Sequence, residues 1–173
     1  MKDLNKLYHE VLADFDALSI PYGKVVSVTA NGRAQSRWGQ CRKKPDGYYI
    51  DINKSLLDDA LEDHGAKDTI AHELCHTIDG CLNHGAKWKR YAKMLGVFGY
   101  VIKRTDTAAD KGISMQLVKE NPNNHYKYAV ICETCGQASY YCKRCKVIQA
   151  LQKGSKNYKC GRCNCDRLKL EYL

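Results

Sequence analysis

The 173 residues carry ten cysteines and a net charge of +9, enough chain for one ordinary domain of about 100–150 residues and a small appendage. No stretch approaches the roughly 20 apolar residues of a membrane-spanning helix, and acids interrupt the opening "MKDLNKLYHEVLADFDALSIP" where a secretion signal would be apolar, so both classes are excluded. The expected setting is cytoplasmic and reducing, with no membrane partner, and paired cysteines there read as zinc ligands instead of disulfides.

In chain order, Leu4, Leu7, Tyr8, Val11, Leu12, Phe15 and Leu18 recur at three- and four-residue spacings and predict an amphipathic helix, stopped by Pro21 and Gly23. Strands are expected at 24–30, around Ala34–Cys41, and at 47–52 after a Pro-Asp-Gly turn; together they form a small sheet, read as antiparallel. From Lys54 the pattern turns helical, with Leu56, Leu57, Ala60 and Leu61 on a helix ending at Gly65, then Ile70, Leu74, Ile78 and Cys81 on a second. A third helix is expected from Ala86 to Leu95 with Gly96 as its cap, then a short closing strand over 99–104. Residues 105–124, which include "NPNN", read as a linker or irregular crossover.

The second helix carries "AHELCH". His72 and His76 lie four apart, one turn above each other, so both imidazoles can meet one ion. Glu73 projects to the side, where it can act on a water without ligating the metal; the bland alternative is a solvated polar face. A catalytic zinc needs a third protein ligand and an open position. The candidates are His84, seven intervening residues after His76, and the acids Asp58, Asp59 and Glu62. His84 is preferred because a short loop at a helix start places its side chain accurately. Asp79 and Leu82 stand where a metzincin would have glycine and histidine, which excludes that class. His9, His64 and His125 have no partner spacing, and Cys75 and Cys81 read as small core residues, with metal or redox chemistry a lesser reading of Cys81.

Residues 121–173 hold 10 Lys+Arg against 3 Asp+Glu, while residues 1–120 hold 18 against 16, so the basic character lives in the tail and suits a polyanion such as nucleic acid. The same tail has three CxxC pairs, Cys132/Cys135, Cys142/Cys145 and Cys160/Cys163, and one extra cysteine, more thiols than one tetrahedral zinc uses. Tyrosines at 126, 128, 140, 141 and 158 are interleaved with Lys127, Lys143, Arg144, Lys156 and Lys159, a mixture that fits single-stranded bases and phosphates as well as simple packing.

Taken together, "SRWGQC" (36–41), "YYIDINKSLL" (48–57), "AHELCH" (71–76), "NHGAKWK" (83–89) and the terminal cysteines resemble the SprT-like zinc metalloproteases, to which Spartan is related, over most of residues 22–173. The resemblance implies an α+β, zincin-like domain over 1–120, a small sheet packed with helices and HExxH on a helix, followed by a small zinc ribbon over 121–173. It implies a catalytic zinc on His72, His76 and His84, Glu73 as general base, Arg37, Trp38 and Gly39 as support, and Trp88 packed under the third ligand. It further implies a structural zinc on Cys132, Cys135, Cys160 and Cys163, with "SYYCKRCKVIQAL" as the strand between the knuckles; the sequence also permits Cys142 and Cys145 with Cys160 and Cys163. Spartan-type members bind DNA and digest proteins crosslinked to it, so the implied substrate is a DNA-associated protein, with single-stranded DNA a candidate partner. The seven-residue loop before His84 is shorter than in many members and is similar to that of a sister family of metal-dependent hydrolases. The competing expectations are a hydrolase of a non-protein substrate and a non-catalytic zinc protein that docks on DNA.

Overall fold

Leu7, Val11 and Phe15, four residues apart, form the buried stripe of the first helix, α1 (Leu4–Ala17). The carboxylate of Asp3 caps it by accepting from the backbone N–H groups of Asn5 and Lys6. The computed structural model describes residues 1–34, 37–113 and 126–173. They divide into two compact units, Met1–Asp106 and Thr107–Leu173.

In the first unit α1 is followed by three strands, β1 (Val25–Asn31), β2 (Gly39–Lys44) and β3 (Gly47–Asn53), in spatial order β1-β3-β2. β2 and β3 are an antiparallel hairpin, whereas β1 runs parallel to β3, so the expected all-antiparallel sheet is corrected to a mixed one. The physical reason is the hairpin: β3 folds back on β2 and fills the position between β2 and β1, where its direction matches that of β1. Central β3 is the buried strand, and Ile50 and Ile52 are fully buried. Register pairs Gly39 with Ile52 and Cys41 with Ile50, which puts all four on one face of the sheet. On the opposite face Asp51 accepts from Thr29 Oγ1 at 2.7 Å and pairs with Arg42 at 2.8 Å, which satisfies its charge despite burial.

The helix expected over 54–65 is only a 3-10 turn, Lys54–Leu57, which already buries Leu56 and Leu57. Asp58, Asp59, Glu62 and Asp63 crowd the following segment with like charge, and regular helix resumes at α2 (His64–Cys75). α2 packs on β2 and β3 and against α1 and α3 (Ala86–Met94). It stops six residues short of the expected Cys81. Thr77 turns its hydroxyl back onto the Leu74 carbonyl at 2.7 Å, and Gly80 takes a left-handed φ of 73° that reverses the chain. After α3 the chain continues as a 3-10 turn, Leu95–Phe98, so the cap is Gly99, at φ 85°, and not Gly96. No strand forms over 99–104. Its backbone is held by helices instead: Val101 N–H donates to Asp68 Oδ1 at 3.1 Å, beside the Tyr100 hydroxyl bond to Asp14 at 2.6 Å.

The second unit is built on an antiparallel sheet, order β5-β4-β6, of β4 (Tyr128–Cys132), β5 (Ala138–Tyr141) and β6 (Leu168–Tyr172). The expected strand "SYYCKRCKVIQAL" is half helix: β5 ends at Tyr141, and Lys146–Gln152 form α4, which buries Ile148. Most of the expected 105–124 linker, and His125, lie outside the described residues.

Candidate metal centre

The early end of α2 shapes the site. His72 lies in its last turn and His76 is its C-cap, and the reversal through Gly80 brings His84 back from just before α3. Asn83 Oδ1 accepts from Gly85 N–H at 3.0 Å and Lys87 Nζ donates to the Asp79 carbonyl at 2.6 Å, which fixes the loop at both ends. Three Nε2 atoms converge as a result. His72 Nε2 lies 3.2 Å from His76 Nε2 and 3.0 Å from His84 Nε2, and the three residues form a group able to hold a metal.

The opposite ring nitrogens decide the protonation state. His72 Nδ1 lies 3.0 Å from the Lys103 carbonyl and His76 Nδ1 2.8 Å from the Cys81 carbonyl. A carbonyl only accepts, so both Nδ1 atoms carry the proton and both Nε2 atoms present lone pairs. Lone pairs 3 Å apart repel unless a cation lies between them. Two nitrogens bound tetrahedrally to zinc at about 2.0–2.1 Å stand roughly 3.3 Å apart, so the donor set fits such an ion. Burial lowers the pKa of His76 against the opposing effect of its Cys81 hydrogen bond. Burial, then the charges of His76 and Arg104, lower that of His84. Both shifts favour the neutral, ligating imidazole.

Trp88, 2% exposed, forms the floor. Its ring stacks on His76 at 27° and meets His72 and His84 edge-on, with centroids 4.8 and 4.6 Å away. Its Nε1 is buried with no hydrogen-bond partner among the described residues.

Glu73 is 6% exposed and lies against β2. Cys41 and Cys75 both have thiols pushed up to about 12, by burial first; the Glu73 charge contributes to each, after that of Cys81 in the case of Cys75. Cys75 and Cys81 are fully buried, in keeping with a core role. The Arg37-Trp38-Gly39 segment is anchored by groups that sequence reading left unassigned. Asn53 Nδ2 donates to the carbonyls of Ala34 and Arg37 at 3.0 and 3.1 Å, its N–H bonds Trp38 O at 2.7 Å, and Trp38 Nε1 bonds Asp106 O at 3.0 Å. An Asn just past a strand signals only a turn in sequence, so this role had no legible mark.

The three acids weighed as third ligands are not in the histidine group. Asp59 pairs with the N-terminal amine, Asp58 caps Ala60, and Glu62 pairs with His64 at 3.3 Å. His9 is exposed on α1 beside Tyr8.

In the second unit the thiols of Cys132, Cys135, Cys160 and Cys163 form a second group able to hold a metal. Their two knuckles share one backbone pattern. Gly136 N–H bonds Cys132 O and Asn164 N–H bonds Cys160 O, both at 2.9 Å, and both turn residues take positive φ, 71° and 57°. Sγ atoms lie 3.5 Å apart for Cys132 and Cys163 and 3.6 Å for Cys135 and Cys160, close to the roughly 3.8 Å of two thiolates on one zinc. Burial opposes ionisation of Cys132, but hydrogen bonds from Cys165 and from the Cys135 and Thr134 backbone bring it down to about 7. Backbone N–H groups of Cys163 and Arg162 bring Cys160 to about 7. The extra cysteine, Cys165, comes within 3.2 Å of Cys132. Cys142 and Cys145 are half-buried and are not in this group; Cys145 precedes α4.

Lys143, Arg144, Lys156 and Lys159 are all exposed, and Arg144 bonds Gln152 at 2.7 Å. Tyr126 packs on Tyr140 and Tyr128 on Tyr172, each with ring centroids 5.6 Å apart.

The model of the SprT-like family matches residues 4–108, which include all three histidines, Glu73 and the Trp-Gly segment, and stop short of the cysteine knuckles. No curated protein matches the chain.

Proposed function

Because the chain belongs to the SprT-like family, we propose that it is a zinc-dependent metallopeptidase with a zincin-like catalytic domain and Glu73 as general base. The observation that carries this reading is the convergence of three Nε2 atoms at the end of the helix that also carries the buried Glu73. Zinc in that position would polarise a peptide carbonyl and make an adjacent water more acidic. His72, His76 and His84 hold the ion, with Lys103 and Cys81 carbonyls orienting two of the rings from behind. Glu73 takes the proton of the attacking water and passes it to the leaving amine. An extended peptide has a place to bind: β2 pairs with β3 along one edge only, and its other edge has no hydrogen-bond partner among the described residues. That edge favours a protein substrate over a small molecule.

The second unit supports the rest of the reading. Cys132, Cys135, Cys160 and Cys163 hold a structural zinc, and the exposed Lys143, Arg144, Lys156 and Lys159 bind DNA, single-stranded DNA included, so that proteins on DNA are cleaved. The test compares cleavage of a DNA-bound protein by the wild type and by Glu73→Gln, with and without single-stranded DNA. Loss of activity by about 10²–10⁴-fold in Glu73→Gln, with zinc content and melting temperature retained, is expected. Equal cleavage by both proteins rejects the peptidase reading. Stimulation by DNA that fades with salt is expected, and its absence rejects the DNA partner while leaving the zinc chemistry intact.

A further inference from the structure

Four thiols complete a tetrahedral zinc site, and the second unit brings a fifth to the edge of its group of four. Cys165 Sγ lies 3.2 Å from Cys132 Sγ, nearer than Cys163 is to Cys132 at 3.5 Å or Cys135 to Cys160 at 3.6 Å. Cys165 is not in the group able to hold a metal, so with an ion bound it is the thiol of this cluster left uncoordinated.

Main-chain bonds set its position. The Cys165 carbonyl accepts from Cys160 N–H at 2.8 Å, and the Arg167 carbonyl accepts from Glu133 N–H at 3.0 Å. Just beyond, Cys132 stands opposite Leu168 in the β4–β6 register. These bonds hold the approach to β6 against the end of β4, and the two sulfurs need close by only about 1.2 Å to reach the roughly 2.05 Å of a disulfide. Exposure divides the pair, because Cys132 is 1% exposed and Cys165 is half-buried. A small oxidant therefore reaches Cys165 first and leaves its product beside a second sulfur able to resolve it. In the reduced protein the short contact is a hydrogen bond between thiols. That bond alone does not call for sulfur, since a serine hydroxyl would donate as well.

We propose that Cys132 and Cys165 form a peroxide-sensitive pair whose oxidation to a disulfide withdraws one ligand from the cysteine zinc site. The Cys165 sulfur attacks one oxygen of hydrogen peroxide, the O–O bond breaks, and Cys165 becomes a sulfenic acid as a first water leaves. The Cys132 sulfur then attacks the Cys165 sulfur, the S–O bond breaks, and a second water leaves. Two thiols and one peroxide give one disulfide and two waters, with two electrons passing from sulfur to oxygen. The ligand-withdrawal half of this inference rests on the structural-zinc reading of the second unit, whereas the disulfide half does not.

The experiment treats the whole zinc-loaded chain, as wild type and as Cys165→Ser, with hydrogen peroxide, maps disulfides by tandem mass spectrometry and follows zinc with a chromophoric chelator. In the wild type a Cys132–Cys165 cross-link should appear together with loss of the cysteine-bound zinc, and dithiothreitol should reverse both. The oxidised chain should hold that zinc more weakly by well over the roughly 10–100-fold that loss of an outer hydrogen-bond partner costs. Cys165→Ser keeps a donor at the site, so it should bind zinc as the reduced wild type does and retain it under the same dose of peroxide. A cross-link confined to other cysteines overturns the proposal, and so does equal zinc loss in both proteins. If Cys165→Ser fails to fold, the wild-type map decides alone, and zinc loss without a Cys132–Cys165 cross-link rejects the pair. If the reduced wild type holds no zinc on its cysteines, the structural-zinc reading falls, and the disulfide map still decides whether the two thiols are partners.

Discussion

At the scale of single residues, the centre is organised by what its histidines touch on their far side. Two Nδ1–H groups are spent on backbone carbonyls, and the lowered pKa values of His76 and His84 keep those rings neutral below the ordinary histidine value of about 6.5. The sign for stability follows from proton counting. Below about pH 6.5 the unfolded chain binds protons at these two histidines that the folded chain refuses, so stability is full above that pH and declines as pH falls toward the folded values. Zinc-free protein should therefore melt at a constant temperature above about pH 7 and progressively lower below 6.5. Melting curves across pH 5–8 check this, and a rise in melting temperature on acidification would contradict it. His72, Glu73 and His76 were legible as residues because one helical turn relates them. The role of Asn53 and the close approach of Gly39 to Glu73 were not, because each involves a partner distant in sequence.

At the scale of elements, the segment after Gly99 positions the site without supplying a ligand. Asp68, buried on α2, accepts from Val101 N–H at 3.1 Å, and two residues on the Lys103 carbonyl meets His72 Nδ1 at 3.0 Å. Asp68→Ala should free this segment, loosen the orientation of His72 and weaken zinc affinity by about 10–100-fold while all three ligands remain. Competition with a chromophoric chelator measures it, and unaltered affinity would detach the segment from the site. α1 was readable almost to the residue, because a long amphipathic stripe is a local signal. The helix expected over 54–65 failed for the opposite reason: two adjacent leucines are buried equally well by a single 3-10 turn. α2 was expected to run to Cys81 on apolar spacing that ignored the Thr77 back-bond and the left-handed Gly80, and its early end is what returns His84 to the cluster.

At the scale of the whole molecule, the two units should depend on metal to different degrees. Met1–Asp106 has its own apolar core, including Phe15, Ile50, Ile70, Leu74 and Leu95, whereas the unit from Thr107 has a thin sheet and a group of thiols. Removing metal with a strong chelator should unfold the second unit and leave the first folded, because a small module without a large core draws its folding energy from the ion. Amide exchange reads this directly: β4–β6 should lose protection while β3 and the first turns of α2 keep theirs, and equal loss in both would reject the distinction. The sequence alone determined what short-range geometry dictates. A four-residue spacing puts His72 and His76 on one face, and CxxC turns present pairs of thiols, whatever the rest of the chain does. Tertiary structure alone decided which thiols meet across the second unit, that β1 lies parallel to β3, and that Gly39 lies on Glu73. Those contacts join residues tens of positions apart, where chain connectivity imposes no spacing and only the packing of sheet against helix selects the partner.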